Sequence, residues 1–108
     1  MALRYEDDRA TLTLPINCSA SGDNVVISPE PANGFKIWKL WLVAASAVTV
    51  TYKSGSNTLS GPVGLVSGGS QTMPYDGIAN LSIQINSAFI INLSAPVQVS
   101  GMVYYTRG

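Results

Sequence analysis

Histidine is absent from this chain and cysteine occurs once. Without histidine there is no Ser-His or Cys-His nucleophilic pair, no common zinc site and no side chain suited to general-base work at neutral pH. The single Cys18 forbids an intrachain disulfide and so excludes a disulfide-stapled scaffold. It sits at a strand end among small residues with no partner base, the setting of a buried structural thiol rather than a nucleophile. Charge is also scarce: 11% of residues, against about 25% in ordinary domains. Six basic and six acidic residues cancel, so no field steers the protein to nucleic acid or to an anionic membrane. The longest apolar run, Leu40 to Ala45, is far short of the roughly 20 residues that span a bilayer. The opening residues are charged rather than apolar, so no signal peptide is expected, and the Asn-x-Ser triplets at Asn17, Asn80 and Asn92 read as chance.

What is present is a hydrophobic fraction of 46% spread over 108 residues, enough for one domain with one core. A nearly uncharged surface with no net charge is poorly protected against association, which points to lasting contacts with other subunits. The charges that exist are bunched. Arg4, Glu6, Asp7, Asp8 and Arg9 all fall within the first nine residues. That composition separates an extended N-terminal arm, residues 1–10, from a compact domain, residues 11–108.

Past the arm, the chain reads as strand after strand. Val48, Val50 and Tyr52 alternate with Thr49, Thr51 and Lys53, the period of a sheet with one covered face. Ser54-Gly55-Ser56-Asn57 then supplies a hairpin turn. Strands are also expected over Thr11–Ile16, Asn24–Ser28, Phe35–Ala45, Gln71–Met73, Leu81–Asn86, Phe89–Leu93 and Val97–Tyr105. Pro29 to Gly34 is a loop, and Gly61 to Gly69 is a kinked strand or a crossing between sheets. In Phe35–Ala45, strict alternation puts Trp38, Leu40, Leu42 and Ala44 on one face and Phe35, Ile37, Trp41 and Val43 on the other. A strand apolar on both faces needs cover on both sides. No window of 11 or more residues has a helical period. The sum is an all-β fold: an antiparallel β-sandwich, jelly-roll-like, with a short extended arm. An immunoglobulin-like sandwich is the runner-up, disfavoured because paired cysteines around a core Trp are missing.

Candidate chemistry is thin. Glu6, Asp7 and Asp8 lie on the arm. Asp23, Glu30 and Asp76 fall in separate loops, where Asp before Asn or Gly plays a turn role rather than a catalytic one. The glycines of Gly61 to Gly69 have no Gly-Lys-Ser/Thr and open no helix, so they form no phosphate loop. No catalytic, cofactor or metal residue is expected. Aromatics are the better candidates, namely Trp38, Trp41, Tyr52, Tyr75, Tyr104 and Tyr105, read as core or subunit interface ahead of a ligand platform, with Trp38, Trp41 and Tyr104 the interface candidates. Tyr104 and Tyr105 point to opposite faces, so only one can enter the core. On the arm, Leu3, Arg4, Tyr5 and Arg9 are candidate protein contacts. Ordering ten residues costs roughly 10 kcal/mol in backbone entropy, and exposed ion pairs return about 0–1 kcal/mol each. Leu3 and Tyr5 therefore have to be buried for the arm to hold.

The segment FKIWKLWLVAASAVTVTYKSGSNTLSGPVGLVSGGSQTMPYDG, with INLSAPVQVSG later, resembles small β-sandwich accessory proteins of tailed bacteriophage virions: capsid cement, decoration and head-fibre proteins. The likeness spans roughly Gly34 to Tyr105 and lies in structural patterns rather than chemical signatures. It implies a non-enzymatic virion component that binds the major capsid protein and stabilises the assembled head, often as a homotrimer. Its expected place is the capsid surface after synthesis in the host cytoplasm, with no cofactor, nucleic acid or membrane as partner. The competing expectation is a glycan-binding module of a phage tail or fibre.

Overall fold

The computed structural model describes residues 12–75 and 77–107. The proposed arm, with Leu3, Arg4, Tyr5 and Arg9, and the turn residue Asp76 lie outside the described residues. Within them the fold is all-β. The strands are β1 (Leu12–Cys18), β2 (Gly22–Ile27), β3 (Phe35–Ala44), β4 (Val48–Ser54), β5 (Asn57–Thr58), β6 (Val63–Leu65), β7 (Ser70–Met73), β8 (Leu81–Ile83), β9 (Phe89–Leu93) and β10 (Val99–Arg107).

Two antiparallel sheets form a sandwich. Sheet A runs β1-β10-β3-β7, with β8 also on β3; sheet B runs β2-β9-β4-β5, with β6 also on β4. The chain pairs from its ends inward: β1 with β10, β2 with β9, β3 with β7 and β8, and β4 with β5 and β6. That nesting is a long hairpin rolled into two sheets, which is the jelly roll. The Gly61 to Gly69 segment is the expected crossing, since β6 belongs to sheet B and β7 to sheet A.

Alternation builds the core. From sheet B, Val50, Tyr52, Phe89 and Ile91 point inward and are fully buried; from sheet A, Ile37, Leu40, Leu42 and Val103 meet them. Each such side chain contributes about 1.5–3 kcal/mol on burial. The turn after β4 is tight, with Gly55 at φ 59 and Ser54 paired to Asn57. Cys18 is buried at the end of β1, and burial pushes its thiol pKa up against a smaller opposing hydrogen bond from the Asn17 backbone.

Three expectations need correction. In β3 the alternation slips. Tyr104 pairs with Lys39 but Tyr105 pairs with Ile37, so Trp38 is an extra residue, a β-bulge. The inward set is therefore Phe35, Ile37, Leu40, Leu42 and Ala44, and Trp38 leaves the core face that strict alternation gave it. The strand expected over Leu81–Asn86 stops at Ile83, because Asn86 takes φ 66 and Ser87 N–H closes a turn onto the Gln84 carbonyl at 3.1 Å. Asp23 is not a turn residue; it sits in β2, opposite Asn92 of β9.

Gly101 marks a close approach. A Cβ there would collide with the Trp41 carbonyl oxygen and come within 2.7 Å of Leu42 Cα. Only a glycine lets β10 lie this tightly against β3.

Candidate interaction surface

The outer faces of the two sheets differ in kind. On sheet B, Thr51 of β4, Asn92 of β9 and Asp23 of β2 lie in one register row. Asp23 accepts from Asn92 Nδ2 at 2.7 Å and from Lys53 Nζ at 3.1 Å. The Asn92 hydrogen bond and then Lys53 hold its carboxyl below the usual range. The neighbouring row of the same face holds Lys53, Ile90 and Val25, the last 62% exposed, so this surface is mixed, with the Asp23 charge matched by Lys53.

Sheet A adds aromatic groups to apolar ones. Pro15, Met102, Trp41 and Thr72 form one row across β1, β10, β3 and β7, and Asn17, Ser100, Val43 and Ser70 form the next. Trp41 is 41% exposed and Val43 38%, large values for bulky apolar side chains in mid-strand. On the other side of the Trp41 row, Lys39 Nζ stands 4.7 Å above the Tyr104 ring, a cation–π contact. The bulge turns Trp38 outward beside Lys39, where Trp38 Nε1 donates to Thr106 Oγ1 at 2.7 Å. Tyr75, 63% exposed, leans on Trp38 with ring centroids 6.1 Å apart. The loop carrying Tyr75 is tied down by Asn80, whose Nδ2 donates to the carbonyls of Trp38 at 2.9 Å and Pro74 at 3.2 Å. At the far end Gln98 Nε2 donates to Asn17 Oδ1 and Ser100 Oγ, giving the strip a polar border.

Trp38, Trp41 and Tyr104 were named from the sequence, and the fold brings all three to this one face. Trp41 is not a core residue, contrary to the burial that its apolar strand suggested, and of the tyrosine pair it is Tyr105 that enters the core. Tyr75, one of the aromatic candidates, joins the same surface, and Pro15, Val43 and Met102 belong to it and were missed. Met102 was within reach of sequence reasoning, since it lies two residues before Tyr104 and so shares its face. Pro15 was not, because its place depends on the β1–β10 register.

Among the described residues the carboxylates, Asp23 and Glu30, do not assemble into a reactive pair. Glu30 caps the β2–β3 loop, its Oε1 accepting from the Asn33 N–H at 2.7 Å and the Ala32 N–H at 2.8 Å. Those two bonds lower its pKa. Among the described residues no group of three or more His, Cys, Asp or Glu is placed to hold a metal ion. An open groove of about 370 Å³ lies between β1 and the β2–β3 loop, lined by Leu14, Ile27, Phe35, Tyr105, Glu30 and Arg107 among others. Its lining includes the hydroxyl residue Ser28, in a chain without histidine. Among the described residues no helix is long and apolar enough to cross a membrane.

No protein-family model matches this sequence, and none of the curated proteins does. Among solved structures, the coat protein of Tobacco streak virus is similar to this chain at 12% identity, over 99% of this chain and 91% of that one, with a TM-score of 0.44. A score at that level carries no argument here. The jelly roll rests on the strand pairing described above.

Proposed function

We propose that this protein is a non-enzymatic structural component of a virion, and more finely a cement or decoration protein of a tailed-phage head acting as a homotrimer. One observation carries the reading: the outer face of sheet A is an apolar-aromatic strip with a polar border, gathering Trp38, Trp41 and Tyr104 on one side of the sandwich. That anatomy, a hydrophobic centre with a polar rim, is the anatomy of a protein–protein interface. The mechanism is added contact area, many copies each bridging neighbouring shell subunits, with burial returning about 25 cal/mol per Å² before ordering costs. A closed trimer satisfies the low-charge surface without leaving a growing end.

The test is co-sedimentation of the purified protein with intact phage heads lacking it. Attachment that raises the temperature at which the heads open supports the reading, and absence of attachment overturns it. Trp41→Ser is expected to weaken attachment by about tenfold, equivalent to about 1.4 kcal/mol, with the melting of the free protein unchanged. The exposed Tyr75 beside Trp38 favours one second reading, a glycan-binding module whose rings stack on sugars. Binding on a glycan array that is lost in Tyr75→Ala, with no attachment to heads, would decide for it.

A further inference from the structure

We infer that Asn33-Gly34, in the β2–β3 loop, is a site of self-modification. Asn33 loses ammonia, passes through a succinimide and becomes isoaspartate, and the change releases the loop from the β8–β9 turn. The site is remote from the outer face of sheet A and does not rest on the function proposed above.

The sequence supplies the reactive pair. Seven asparagines occur in the chain, and Asn33 alone is followed by glycine. A side chain on the following residue crowds the main-chain nitrogen that has to approach the asparagine Cγ, and glycine removes that crowding. The fold then fixes the glycine. Gly34 has φ 70, and a Cβ there would collide with the Ile83 carbonyl oxygen and come within 3.1 Å of Ile85 N. Every larger residue would clash, so the fold retains the second member of the pair. Asn33 itself is exposed. Glu30 Oε1 accepts from the N–H groups of Ala32 at 2.8 Å and Asn33 at 2.7 Å, bonds that engage the Asn33 main chain and not its carboxamide.

The steps balance with water as the other reactant. Hydroxide takes the Gly34 N–H proton and the nitrogen bonds to Asn33 Cγ. The Cγ–Nδ2 bond breaks, and ammonia leaves with a proton from water. Water then opens the ring. Addition at Cγ gives aspartate. Addition at the Asn33 main-chain carbonyl carbon gives isoaspartate, whose main chain runs through Cβ and Cγ and is one atom longer.

Packing decides what the extra atom does. Gly34 is pressed against Ile83 to Ile85 with no room for a methyl, and Asn86 N–H donates to the Glu30 carbonyl at 3.0 Å. These contacts dock the loop on the β8–β9 turn. A main chain lengthened just ahead of Gly34 cannot keep both. Ser28, Pro29, Glu30 and Phe35 also line the open groove beside β1, so its mouth changes shape with the modification.

The experiment is incubation of the folded protein from neutral to mildly alkaline pH. Tryptic peptides are read by fragment-ion mass spectrometry against a zero-time digest. The peptide of residues 10–36 is expected to gain about 1 Da at Asn33, and enzymatic methylation of isoaspartate should label the same residue. Modification should be about tenfold or more faster at Asn33 than at any other asparagine, a barrier difference of about 1.4 kcal/mol, and should quicken with pH. Hydrogen exchange then reads the loop: the Asn86 amide should exchange about tenfold or more faster in the modified protein. Asn33→Asp adds the same charge without the extra atom and should leave that exchange unchanged. Asn33→Gln, which would have to close a larger ring, should stay unmodified at this position. A folded protein that keeps its mass at Asn33, whether or not the urea-unfolded chain gains it, overturns the site. Aspartate without isoaspartate, or Asn86 exchange that is unchanged or rises equally in Asn33→Asp, overturns release by a lengthened chain.

Discussion

Replacing Tyr52 by phenylalanine should make this protein more stable. Tyr52 is 0% exposed, and its hydroxyl is buried without a hydrogen-bond partner among the described residues. Its ring lies near parallel to that of Phe89, at 6.3 Å between centroids and 15° between planes, so ring packing survives the change. A buried hydroxyl left unsatisfied costs about 1–3 kcal/mol. Against that gain stands the small void left by one oxygen: about 10–15 Å³ at about 24 cal/mol per Å³, or roughly 0.3 kcal/mol. The net is a stabilisation of about 1–2 kcal/mol, or roughly 5 °C or more in Tm for a domain of this size. Urea unfolding followed by tryptophan emission measures it, with the midpoint moving up and the slope unchanged. The same substitution has a pH signature. Burial pushes the Tyr52 phenol above its ordinary value of 10.0, so the folded state holds the proton that the unfolded state gives up first. The associated stability is fully present below that value and is lost as pH rises beyond it, so Tyr52→Phe should soften the alkaline loss. A Tyr52→Phe protein less stable by about 1 kcal/mol would refute the reasoning and mean that the hydroxyl is satisfied, for instance by an enclosed water.

Three further outcomes are expected. Gly101→Ala should destabilise by about 3 kcal/mol or more, because the new methyl meets the backbone of Trp41 and Leu42 rather than a side chain that can move; a melting curve showing little change would mean that β10 can retreat from β3. Asp23→Asn should cost at most about 1 kcal/mol, the bond being exposed and screened by salt. Since its folded pKa is lowered, that stability is present above the ordinary 3.8 and fades as pH falls through the folded value, so parent and variant should converge in acid melts. Cys18 should resist thiol reagents in the native state and react only at the rate of unfolding, since it is buried with a raised pKa; fast labelling of folded protein would contradict its burial.

The β4 hairpin was legible because three signals agree there: alternation, β-branched residues and a glycine where φ turns positive. The jelly-roll class followed from many such strands without a helical period. The face of Trp38 was not legible from strict alternation, because a bulge changes phase without changing composition. One clue was available: Lys36 and Lys39 stand three apart, and two lysines cannot both face solvent on a regular strand unless a residue is inserted between them. Ile85 continued the alternation of Leu81 and Ile83, yet the chain turns there to let Asn86 N–H reach the Glu30 carbonyl at 3.0 Å, a long-range bond invisible in local pattern. Of the surface, the aromatic members were visible as residues. What joined them was the β1–β10–β3 register, which is a property of the fold and not of any segment.

The pairing of chain ends has a consequence for how the protein is made. Strand β10 lies between β1 and β3, so the last strand described is an inner strand of sheet A. While the chain emerges from the ribosome, β1 and β3 lack the neighbour that joins them, and the edge of β3 that faces β10 stays unpaired. Folding must wait until residues 99–107 are free, and closing pairs this distant in sequence belongs to the slow, millisecond-to-second regime. A chain halted before Val99 would present β3 with its partner edge bare, a template for pairing with other chains. Synthesis in a cell-free system, stopped just before or just after this strand, should therefore give aggregate in the first case and soluble protein in the second.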